Sequence, residues 1–265
     1  MKAMHALICA MAFSTASAAV AADRLTDRDV KALIDRIDQG RDRFEDALDG
    51  KLKSSVVRTP TGEVDVNKFL DDFQENSKRL GERLKPGYAA SAEVATLLRQ
   101  GNAIERFLRE QPAGTKGSSE WNRLAADLKT LARAYGADFP LAENAAVRRI
   151  GDRELETSVE ALAKGTEQLK GSLDKELKSD KTVTQQTRQQ VVEEANQLSK
   201  DAKQLLARVK DSKPSSAEAE KVVVGATRLE TTLQSHQVPQ SAAAWTGLAS
   251  RRSILSDAYG LQRPR

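Results

Sequence analysis

The sequence predicts an all-α protein: two tandem four-helix bundles related by an internal duplication of about 125 residues. Three observations predict it. The stretch Trp121 to Gly136, WNRLAADLKTLARAYG, recurs at Trp245 to Gly260 as WTGLASRRSILSDAYG, with Leu124/Leu248, Leu131/Leu255 and the closing Ala-Tyr-Gly in matching places. Apolar residues recur every three or four positions, as on a helix with one buried stripe, and no alternating strand pattern is seen. Charged residues make up 30% of the chain and aromatics only 4%, a composition that suits amphipathic helices with narrow seams.

Residues 1–22 read as a secretory signal peptide. Lys2 is the positive start, Ala6 to Phe13 the apolar stretch, and Ala19-Val20-Ala21 a small-residue cleavage site. The apolar run is far shorter than the roughly 20 residues a membrane span needs. Cys9 is the only cysteine and lies within this segment, with no lipoprotein box before it. The exported chain therefore has no disulfide, thiolate metal site or cysteine nucleophile. A bacterial periplasm is the expected location, with secretion as the alternative.

The first bundle is expected over 23–140. Thr26, with Asp29 three residues on, caps a helix whose stripe is Val30, Ile34, Ile37, Arg41, Phe44, Leu48 and Leu52. Ser54 to Glu63, with Pro60 and Gly62, breaks it. Asp65 caps a second helix through Val66, Phe69, Leu70, Phe73, Ser77, Leu80 and Leu84, ended by Pro86-Gly87. The third carries Val94, Leu97, Gly101, Ile104 and Leu108 and stops before Pro112. The fourth carries Trp121, Leu124, Leu128, Leu131 and Tyr135, with Gly136 where a helix end wants positive φ.

The second bundle is expected over 141–265. Asp27-Arg28-Asp29-Val30 becomes Asp152-Arg153-Glu154-Leu155 at a shift of 125, and the fourth helix follows at a shift of 124. Seam positions are apolar or small in both copies except the pair Arg41/Thr166. Ser77/Ala202 and Gly101/Ala226 should mark the closest helix approaches. Asp138-Phe139-Pro140 forms a short break, after which Leu141 to Lys178 reads as helix almost throughout, weakened at Gly151, Gly165 and Gly171 by up to ~1 kcal/mol each.

No catalytic, cofactor-binding or metal-ligating residue set emerges. Trp121 and Trp245 lie in phase with their stripes and read as core anchors rather than stacking platforms. Tyr135 and Tyr259 read likewise, with hydroxyls at the surface or on a carbonyl. His236 is the one histidine after the leader and has no second ligand nearby. No Glu-x-x-His, Cys-x-x-Cys-His, Gly-x-Ser-x-Gly or phosphate-cradling glycine loop is present. Asp71-Asp72 and Glu193-Glu194 read as solvated helix surface.

Two charged groupings remain. Arg41 on the first seam and Asp127 on the fourth helix become Thr166 and Arg251 in the second copy, a paired change expected if the two meet; the alternative is that Arg41 snorkels along its stem. Arg148, Arg149, Arg153, Arg251, Arg252, Arg263 and Arg265 could form a basic face for anionic headgroups or an acidic polymer, against interleaved acids that suggest scattered charge. Residues 23–145 carry 21 basic and 22 acidic side chains and residues 146–265 carry 20 and 16. Neither half has a field that argues for nucleic acid.

The functional expectation is an exported, non-enzymatic helical module that binds a protein or envelope component. The alternative is a carrier holding a small apolar ligand or lipid in a cavity within a bundle or at the junction. An enzyme of unfamiliar type is the third reading. The sequence names no cofactor, and is silent on the partner and the oligomeric state.

Overall fold

A computed structural model of the chain describes residues 24–261 apart from Thr61, Ala113, Thr182 and Gln237. The expected signal peptide over residues 1–22, with Cys9, and Arg263 and Arg265 lie outside the described residues. Those described are mostly helical: α1 (Asp27–Ala47), α2 (Gly50–Lys53), α3 (Val66–Arg83), α4 (Ser91–Arg109), α5 (Ser118–Ala134), α6 (Asp152–Ser179), α7 (Gln185–Lys210), α8 (Ser216–Ser235) and α9 (Pro239–Ala258), with β1 (Val56–Thr59) and β2 (Gly62–Asp65) as one antiparallel hairpin. No helix among them is long and apolar enough to cross a membrane.

Two apolar clusters organise the helices. In the first, α1 packs on α3 and α5, and α4 closes the ring between them. Its largest buried side chains include Phe44, Phe73, Leu97, Leu128 and Tyr135. In the second, α6 packs on α7 and α9, with α8 between those two. It is aliphatic, built from Leu162, Leu169, Leu198, Leu205, Val222 and Leu229 around Trp245. Trp121 and Trp245 are 3% and 5% exposed, which makes both core anchors.

The predicted caps form. Thr26 accepts from Asp29 N and Asp29 accepts from Thr26 N, a capping box, and Asp65 accepts from Asn67 N and Lys68 N. Helices α5 and α9 end alike. Gly136 and Gly260 have φ of +67° and +61°. Ala137 N donates to Ala132 O and Leu261 N to Ser256 O, the long bond of a Schellman closure.

Glycines mark two close approaches. A Cβ on Gly101 would stand 2.8 Å from Leu128 Cδ1 and 2.9 Å from the Phe139 ring. At Gly165 it would stand 2.2 Å from Leu248 Cδ2, and at the matching Gly40 it would stand 3.2 Å from Leu124 Cδ1. Gly165 is therefore the seat for α9 rather than simply a weak point in α6.

Four expectations are corrected. The first helix does not run to Leu52. It stops at Ala47, and Asp49 accepts from Leu52 N to start α2, so Leu48 and Leu52 stay buried across a kink. The break from Ser54 is a hairpin, with Val57 buried beneath it and Val57 paired with Val64. Gln185 to Gln190, which the expected repeat would align with 60–65, are instead the first turns of α7.

Third, Leu141 to Gly151 is not helix. Its backbone is taken by tertiary partners: Leu141 exchanges both its N–H and C=O with the Asn102 amide, and Arg148 N donates to Tyr135 O. These bonds outweigh the helix propensity of an alanine-rich run. Gly151 falls outside α6 as its N-cap.

Fourth, Arg41 and Asp127 do not meet. The Arg41 guanidinium bonds Glu45 and Asp42 on its own helix and approaches Asp71 of α3 at 3.9 Å, while Asp127 pairs with Arg36 at 3.4 Å. Arg41 is 4% exposed with Nε unpartnered, so the stem packs and only the Nη atoms find acids. A double-mutant cycle on Arg41 and Asp127 should give a coupling energy within ~0.3 kcal/mol of zero. A cycle on Arg36 and Asp127, a half-exposed pair, should give up to about 1 kcal/mol. Coupling of about 1 kcal/mol or more in the first cycle would contradict this geometry.

Candidate functional site

The two clusters meet at the starts of α1 and α6, and the contact is reciprocal. Asp27 N donates to Asp152 Oδ2 at 2.7 Å, and Asp152 N donates to Asp27 Oδ2 at 3.0 Å. Each aspartate thus satisfies a free amide at the other helix's N-terminus. Arg24 reaches across to Asp152 and the Ile150 carbonyl. Arg149 reaches back to Asp27 and, at 2.6 Å, the Leu25 carbonyl. The segments are Arg24-Leu25-Thr26-Asp27 and Arg149-Ile150-Gly151-Asp152, the same pattern 125 residues apart. The arginine side chains are 11% and 2% exposed, so these charges are paired away from most solvent.

Beside this joint lies an open cleft of about 670 Å3. Ala134-Tyr135-Gly136 lines one wall and Ala258-Tyr259-Gly260 the other. Both copies of the closing motif therefore face one space. The tyrosine hydroxyls point elsewhere: Tyr135 donates to Ala89 O at 2.6 Å, and Tyr259 shares a 2.6 Å bond with Ser215 Oγ. Tyr135 fastens the end of α5 to the entry of α4, and Tyr259 the end of α9 to the entry of α8. The Arg149 guanidinium lies 6.0 Å from the Tyr135 ring centroid.

Burial pushes the Tyr135 phenol up to about 12, and burial raises that of Tyr259 as well. A phenol that is harder to ionise folded than unfolded stabilises fully below pH ~10, and that contribution is lost as pH rises toward 12. Stability should therefore fall across pH 10–12, and Tyr135→Phe should flatten the fall. Alkaline denaturation followed by circular dichroism measures it. An unchanged slope in the variant would contradict this assignment.

The walls differ in charge. Arg133 of the first wall matches Asp257 of the second, and Thr130 matches Ile254, at the shift of 124. Arg148 lines the same cleft as Arg133, and its backbone N–H is bonded to Tyr135 O at 2.9 Å. Arg133 and Arg148 are exposed, and neither forms an ion pair among the described residues.

Other predicted residues are dispersed. Asp71, Asp72 and Glu193 are exposed; Glu194 is half-buried and accepts from Thr232 Oγ1 at 3.3 Å. His236 is the half-buried cap of α8. No group of His, Cys, Asp and Glu able to hold a metal ion occurs among the described residues. Among the described residues the predicted basic set is divided: Arg148 lines the cleft, Arg149 is buried in the joint, Arg252 is bound to Glu230 at 2.6 Å, Arg153 is exposed on α6 and Arg251 half-buried on α9. A second groove of about 480 Å3 lies between α7 and α8, lined by charges of both signs and the exposed Val224.

Two signals went unread in the sequence. One is the Arg-(Leu/Ile)-x-Asp repeat, which begins three residues before the aligned Asp27/Asp152. The other is Glu105/Glu230, each of which accepts from the indole N–H of its half's tryptophan. Compared with known proteins, the chain matches no family model, no curated protein and no solved structure.

Proposed function

We propose that this chain is an exported, non-enzymatic interaction module, made of two duplicated four-helix units, 23–140 and 141–265, that dock a protein or envelope component in the cleft between them. The observation that carries the reading is the convergence of both Ala-Tyr-Gly ends on one cleft, flanked by two unpaired arginines. The reciprocal Arg24–Asp152 and Arg149–Asp27 contacts support the duplication, because equivalent residues contact one another as across a two-fold axis. The leader pattern supports export to the periplasm, or secretion; mature protein should then begin near Ala22 or Asp23.

The carrier reading keeps one supporting observation: the cleft volume lies in the range of small-molecule sites, roughly 300–1,000 Å3. Its openness and its arginines favour a polar surface partner over an apolar ligand. Replacing Asp257 with a photo-crosslinking residue and irradiating intact cells tests the choice. A discrete protein adduct is expected. Repeated failure to form one, with the exported protein present, would move the reading to the carrier.

A further inference from the structure

We infer that the cleft's occupant is an acidic, aliphatic-rich peptide segment of a partner protein, clamped by Arg133 and Arg148; this rests on the docking reading just given.

The four cleft arginines are not equivalent. Arg24 and Arg149 are used up by Asp152, Asp27 and two backbone carbonyls. Arg133 and Arg148 are not, and both line the cleft although they lie 15 residues apart in the chain. An unpaired arginine at a helix C-terminus can be explained by the negative end of the helix dipole. Here that explanation accounts for little. The terminal carbonyls of α5 are already bonded, Ala132 O by Ala137 N at 3.0 Å and Arg133 O by Gly136 N at 3.1 Å. Arg148 is in no helix at all. Two exposed forked donors lining one cleft, neither in an ion pair among the described residues, match carboxylates, which guanidinium groups hold in paired hydrogen bonds.

The opposite wall restricts the class further. Asp257 repels a uniformly anionic ligand such as a polyphosphate, and Ile254 and Leu261 offer half-buried aliphatic contact. A segment with carboxylates on one side and aliphatic side chains on the other fits both walls. A lipid surface cannot enter a cleft between two helix sets as a flat array of headgroups.

The test uses the full-length protein and a fluorescent peptide of alternating glutamate and leucine, with a lysine–leucine peptide as control. Anisotropy should show saturable binding of the acidic peptide only. Arg133→Glu and Arg148→Glu should each weaken it roughly tenfold or more, and Asp257→Ala should preserve or tighten it. Both arginines are exposed and unpaired, so helicity and melting temperature should be unchanged in the variants. Equal binding of both peptides, or no loss in the glutamate variants, overturns the inference. Displacement by inorganic phosphate as effective as by the acidic peptide would also overturn it, leaving a simple anion site. A protein adduct in cells with no acidic-peptide binding would leave the docking reading standing and remove this one. Absence of both would remove both.

Discussion

Trp121→Ala should cost the first helix set about 3–5 kcal/mol, the usual loss when a large buried ring is deleted. Trp121 opens α5 and is 3% exposed. Its ring lies 5.5 Å from that of Phe44 on α1, and its indole N–H is bonded to Glu105 on α4. One side chain therefore ties three helices. Alanine leaves a cavity against Phe44 and strips the half-buried Glu105 of a donor. A unit of this size has about 5–10 kcal/mol of stability in all, so most of it would go. Trp245→Ala should do the same to the second set, where the indole bonds Glu230 at 3.2 Å. Calorimetry reads the outcome. Two transitions, each lowered by its own substitution, are expected if the cores unfold separately. One transition lowered equally by both would mean a single cooperative unit. A change below ~1 kcal/mol in either would contradict the anchoring role.

Asp27→Ala should cost about 3 kcal/mol, and more than Asp152→Ala. Both aspartates cap the opposite helix and hold an arginine, but their settings differ. The Arg149 side chain, paired with Asp27, is 2% exposed, and removing its carboxylate leaves a buried cation with a longer contact to Asp152 at 3.7 Å and a backbone carbonyl. Asp152 is itself 35% exposed, so water replaces more of what Arg24 loses. The double variant should cost less than the sum of the singles, since both belong to one network. Denaturant unfolding measures all three. Equal effects, or strict additivity, would mean the four charges act as independent pairs.

Much of the helical layout was legible because helix period and capping chemistry are local. Thr26, Asp65, Gly136 and Gly260 act through residues within about one turn, and they stand where the spacing puts them. The failures are non-local. Leu141 to Gly151 has helix-forming composition, yet Asn102 and Tyr135 claim its backbone from elsewhere in the chain. Asp49 and the Val57–Val64 pairing broke a stripe that looked continuous, because periodicity reports burial and not the path between buried residues. Arg41 and Asp127 vary together between copies without touching; Arg41 found acids one turn away, which the comparison of seams could not weigh. At the cleft, the Ala-Tyr-Gly repeat was plain to read, but that its two ends face each other depends on the joint. The joint is written in Arg24 and Arg149, which sit before the apolar stripes begin.

That Asp257 stands where the repeat would put a second Arg133 bears on how many guests the proposed cleft would take and which way round. Two separate identical chains meeting on a two-fold axis must offer the same side chain on both walls, and any asymmetric guest could then lie in either of two equivalent directions. Covalent fusion lifts that constraint, since each wall has its own codon. With arginine on one side and aspartate on the other, the proposed docking cleft would have a head and a tail, and the docking reading then expects one guest per chain in one orientation.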